Sequence, residues 1–132
     1  MKQAILILAL CLGLVACSQN PKPVTGSANQ FDSDTYLTLV TTDSVIQTTR
    51  ADLANCTPWS STCVFPASVV GNVKSALNSL IAAYNAANAS WQVYHTAALS
   101  GQATQAQQAA VQSGLANVNA ATVNLTTVKG GK

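Results

Sequence analysis

The fold that this sequence predicts is all-α: a slender antiparallel bundle of three helices running up, down and up. Three observations predict it. An unbroken apolar seam runs through the middle of the chain, a second seam follows a Ser-Gly break, and bulky residues are few. The first seam is Val70, Val73, Leu77, Leu80, Tyr84, Ala87, Trp91, Tyr94 and Ala98, alternating steps of three and four. That is the 3.5-residue repeat of helices packed as in a coiled coil. Ala76, Ile81 and Ala83 widen it.

This central helix is expected over 67–100 and should be roughly 50 Å long at 1.5 Å per residue. Pro66 fits its first turn, where a missing N–H costs nothing. Gly101 fits the position just past its end. A further helix is expected over 102–128, where Val111, Leu115, Val118, Thr122 and Leu125 step by four and three. Its opening, QATQAQQAAVQ, is almost all Ala and Gln, which are good helix formers. The short break at Ser100-Gly101 makes the two helices a hairpin. Small alanines on one then face Tyr84, Trp91 and Tyr94 on the other, an aromatic seam whose Trp91→Ala variant should lose about 3–5 kcal/mol if the indole is fully buried. Gly114 is a weak point of about 1 kcal/mol.

The first helix is expected over 32–54. Thr, Val and Ile are dense there, so strand is the alternative. Length and the absence of an internal turn residue favour helix, with Asp32, Ser33 and Asp34 as N-cap candidates. Before it, residues 18–30 read SQNPKPVTGSANQ. Two prolines, a glycine and small polar groups mark a flexible tether. Residues 129–132, Lys-Gly-Gly-Lys, read as a flexible tail. The bundle proper thus occupies 31–128, one domain.

Between the first two helices lies Cys56-Thr57-Pro58-Trp59-Ser60-Ser61-Thr62-Cys63. A Cys56–Cys63 bridge would stabilise by roughly 2.5 kcal/mol on the chain-entropy model. Metal binding is the rival reading, but it needs about four ligands and His95 is the one other reasonable donor. Trp59 either folds back over the helix ends or faces a partner.

The chain begins Met1-Lys2-Gln3, followed by an uncharged apolar run from Ala4 to Leu14. A basic start, a short apolar region and small residues at its end make a secretory signal. The run is shorter than the ~20 residues of a membrane-spanning helix. Leu14-Val15-Ala16-Cys17 resembles the lipobox of bacterial lipoproteins. The resemblance covers about the first 20 residues. It implies removal of residues 1–16, a diacylglycerol on the Cys17 sulfur and acylation of the new amino end. More than one acyl chain suffices for stable anchoring without a spanning helix. The alternative is ordinary cleavage after Ser18. Of four cysteines, Cys11 then leaves with the signal and Cys17 takes lipid. The even remainder suits an oxidising compartment. Ser18, where this family's inner-membrane members carry Asp, implies an outer-membrane location facing the periplasm.

Charge is sparse and scattered, and Glu is absent. There is no basic stripe for nucleic acid and no polybasic membrane patch. His95 is the single histidine, and no nucleophile-base set, metal motif or glycine-rich phosphate loop accompanies it. No cofactor or metal is expected, and no enzymatic activity. The expected function is that of a lipid-anchored envelope protein with a structural or protein-interaction role toward an unidentified envelope partner. A module for a small apolar ligand, lined by Tyr84, Trp91 and Tyr94, is the alternative from another class. A phage-encoded lipoprotein that alters its host's envelope is a further one. The C-terminal Lys132 is similar to that of the murein lipoprotein family, whose final Lys is joined to peptidoglycan. Here Gly130 and Gly131 precede it, where that family has Tyr and Arg. The similarity implies a wall attachment about 40–50 Å from the start of an upright bundle.

Overall fold

The computed structural model describes residues 23–57 and 60–130. Three helices account for most of them: α1 (Gln30–Ala54), α2 (Ala67–Leu99) and α3 (Gln105–Lys129). The fold is the expected three-helix, all-α arrangement, with no strand among the described residues. Cys17, Trp59 and Lys132 lie outside the described residues.

The hairpin of α2 and α3 is the main interface; α1 packs chiefly on α2 and touches α3 in few places. The seam of α2 is where the sequence pattern puts it. Val73, Ala76, Leu77, Leu80, Ala87 and Tyr94 are buried, and α3 meets them with Val111, Val118 and Leu125. Trp91 differs from expectation: it packs against the core without being enclosed by it. Of the three seam aromatics, Tyr94 is the one that the bundle buries.

The core side of α1 is Asp32, Ser33, Thr35, Leu39, Thr42, Ile46 and Thr49. Three of the seven are threonine. Each buried threonine donates its hydroxyl to the carbonyl four residues back: Thr35 to Phe31, Thr42 to Thr38 and Thr49 to Val45, at 2.8–2.9 Å. The polar atom is thereby satisfied on the helix itself, and the methyl is left to face α2 and α3. A stretch dense in Thr and Val is thus helical, with its inward hydroxyls satisfied.

Helix ends depart from expectation by a few residues, each for a local reason. The N-cap of α1 is Asn29, whose side chain accepts the Asp32 backbone N–H at 2.9 Å; the expected caps Asp32, Ser33 and Asp34 fall inside the helix. α2 ends at Leu99, where Gly101 turns the chain at φ 71°. The Gln102 N–H bonds Ala97 C=O and the Gly101 N–H bonds Ala98 C=O, the paired closure of a helix on a left-handed glycine. α3 starts at Gln105, three residues later than expected, because Thr104 and Gln107 form a capping box that satisfies two otherwise orphaned donors.

Two stretches expected to be flexible are tied down. The end of the tether turns at Gly26 (φ 92°), and the Val24 N–H donates to the Ser33 hydroxyl at 2.8 Å. Lys129, expected in the tail, is the last residue of α3. Its ammonium donates to Thr49 Oγ1 at 3.4 Å, lies 3.8 Å from Asp52 and sits over the Phe65 ring. Beside it, Cys56 and Cys63 are joined by a disulfide. The bond closes the loop between α1 and α2, which limits the freedom of the unfolded chain.

Gly114 is more than a weak point. It stands where α3 lies tight against α2: a Cβ added there would lie 2.9 Å from Ala87 Cα and 3.0 Å from Ala87 Cβ. Replacing glycine by alanine in a helix ordinarily stabilises by about 1 kcal/mol. Here the two backbones must part, and overpacking costs about 1–3 kcal/mol. Gly114→Ala is therefore expected to lower stability, read as a drop in the urea midpoint at unchanged slope. A rise in the midpoint would show that the helices are not in contact at this level.

Candidate functional site

The densest polar chemistry lies at the end of the bundle where the tether enters. It is built around Asp32, the third residue of α1, whose side chain is wholly buried. A carboxylate near a helix N-terminus is favoured by the dipole, and this one also gathers three donors from two other segments. Oδ1 accepts the indole N–H of Trp91 at 2.7 Å. Oδ2 accepts the Ala28 backbone N–H at 2.8 Å and meets His95 Nδ1 at 2.7 Å.

Burial by itself would raise the Asp32 pKa. The hydrogen bonds from Ala28, His95 and Trp91, with the charge interaction of His95, outweigh it, so the carboxyl titrates below its ordinary 3.8. An ionised carboxylate only accepts. That assigns the proton of the shared bond to Nδ1 of His95.

A second ring of contacts holds the same end together. The Asn29 side-chain amide donates to the Tyr94 hydroxyl at 3.0 Å, so one residue both caps α1 and ties it to α2. Phe31 meets Tyr94 edge to face with ring centroids 5.1 Å apart. Tyr36 and His95 flank the Trp91 ring at 5.7 and 5.1 Å. Among the described residues no buried side-chain polar atom lacks a partner.

Of the three aromatics expected to share a seam, Trp91 and Tyr94 belong to this cluster through different partners. Tyr84 stands apart. Burial, and then the charge of Asp43, raise its hydroxyl above the ordinary 10.0. Neither Tyr84 nor Tyr94 lines the cleft that Trp91 does. The open cleft beside Trp91, of about 260 Å³, is lined also by Val24, Thr25, Gly26, Ser27, Tyr36 and His95. Asp32 was not legible as a site residue because it reads as a helix cap; His95 read as a lone packing residue. One signal was available: Trp91 and His95 are four apart and share a helix face, two donors in search of one acceptor.

Chemically, the arrangement fixes an imidazole and an indole in orientation and clasps the tether to the bundle. Among the described residues no group of three His, Cys, Asp or Glu side chains could hold a metal ion. No described helix is long and apolar enough to cross a membrane. No family model matches this chain, and no curated protein or solved structure matches it either.

Proposed function

We propose that this protein is a lipid-anchored, non-enzymatic component of the bacterial envelope, in which the helical bundle serves a structural or protein-interaction role at the membrane surface. The observation that carries the reading is Leu14-Val15-Ala16-Cys17 at the end of an uncharged apolar run. Supporting it, the two cysteines beyond Cys17 are paired with each other, as suits folding on the oxidising side of a membrane. The polar cluster supports the non-enzymatic part. Asp32 and Trp91 spend their polar atoms on each other and on the fold, so the cluster is a clasp. Cys17 is the attachment point, and Ser18 after it favours the outer membrane.

Intact-mass measurement of detergent-extracted protein tests this. The expected species begins at Cys17 and carries two or three acyl chains. A soluble form beginning at Gln19 would overturn the reading.

A further inference from the structure

The clasp changes how far the bundle can stray from its anchor. Residues 18–30 were expected to be a free tether, but from Val24 onward the chain is held against α1 and α2. Only six residues then separate Cys17 from Val24, a span of at most about 25 Å. On the reading that Cys17 carries the lipid, this end of the bundle stays within that distance of the bilayer.

An aromatic and apolar set faces outward there, beside the exposed polar Gln92, Thr96 and Ser100. Tyr36 is 39% exposed, Val40 48% and Leu99 58%. Val40 lies one turn beyond Tyr36 on α1, and Leu99 one turn beyond His95 on α2. Tyr36 touches Trp91, and Trp91 touches His95, so the residues form one stripe across both helices. Neither Lys nor Arg occurs in 23–49 or 75–128, and Lys22 lies in the linker toward the anchor, so the stripe itself carries no Lys or Arg for anionic lipid. Tyr and Trp with an apolar body and a polar tip are the side chains that settle at a membrane–water interface.

We propose that the stripe Val40–Tyr36–Trp91–His95–Leu99 rests on the lipid headgroup region of the membrane that holds the anchor. The Asp32 bond fixes the plane of the Trp91 ring, so the face is set before it meets lipid. The contact is weak by itself. A short linker makes it intramolecular, and the high effective concentration that follows is enough to populate it. The bundle therefore lies along the membrane on its α1/α2 face and turns α3 toward partners in the periplasm.

The test uses the full lipidated chain with Trp59→Phe, leaving Trp91 as the single tryptophan, in vesicles of phosphatidylcholine brominated near the headgroup end of the acyl chain. Flotation of the vesicles is recorded in the same sample. The expected result is co-flotation, with Trp91 emission quenched by about half relative to unbrominated vesicles, and much less quenching by lipid brominated near the chain terminus. Leu99→Asp, an exposed change, should leave helical circular dichroism and flotation intact and relieve most of the quenching. Co-flotation without quenching would overturn the stripe contact and leave the anchor standing. Failure to float would overturn both.

Discussion

Asp32→Ala is expected to be among the most damaging single substitutions in the described chain, at about 3–5 kcal/mol. The side chain is wholly buried and accepts from the Trp91 indole, the Ala28 amide and His95. Removing it leaves three donors without their acceptor. A buried donor without a partner costs about 1–3 kcal/mol. Asp34→Ala, two residues on and exposed, is the control, with a change inside ~0.5 kcal/mol. Urea denaturation of both reads the difference. The same carboxylate gives the protein an acid limit. Its pKa is lowered in the folded state, so its contribution is fully present above the unfolded value and is lost as pH falls through the folded one. Stability should be level in this respect down to about pH 4 and decline below the ordinary 3.8. The Asp32→Asn protein should show a shallower decline. Equal acid slopes for the two proteins would remove Asp32 from the account.

Leu80→Ala is expected to cost a similar amount, about 2–5 kcal/mol, by a different route. Leu80 is at 0% exposure, among the largest fully buried side chains of the core. Three missing carbons leave a cavity that helices pinned on both sides by packing cannot fully close. Leu37→Ala removes the same atoms from a residue 49% exposed on α1 and should cost well under half as much. Thermal or chemical unfolding of the pair checks this. A Leu80→Ala loss below ~1 kcal/mol would mean that the α2 seam is not the core.

The seam of α2 was legible because its residues are apolar, and apolar spacing is what a sequence shows most plainly. The seam of α1 obeys the same three-and-four rhythm: Asp32, Thr35, Leu39, Thr42, Ile46 and Thr49. It was unreadable by apolarity because threonine counts as polar until its hydroxyl is bonded back to the helix. Helix existence at 30–54 could be argued from length and caps, but its inward face could not. The site failed to appear for a further reason. Asp32 and His95 stand 63 positions apart, and only the register of α1 on α2 brings them together. That register depends on threonine methyls, Leu39 and Ile46 packing at once. Gly114 was legible as a helix defect; that it faces Ala87 was not, because the partner lies on another helix.

The Asp32 clasp also has a place in time. It joins α1 to residues 59 and 63 positions away, whereas α2 and α3 are joined by a short turn and share the larger interface. Contacts near in sequence close early, since they ask little loop entropy. The hairpin of α2 and α3 should therefore dominate the folding transition state. α1 docks after it, when the carboxylate gives up water for three donors. Substitutions at Asp32 should then speed unfolding and leave the folding rate nearly unchanged. Native-state amide exchange should show α1 opening as a unit at lower free energy than α2 and α3. A protein held to a surface by the segment that enters α1 would thus release its helices in a set order under tension: the clasped helix first, the hairpin last.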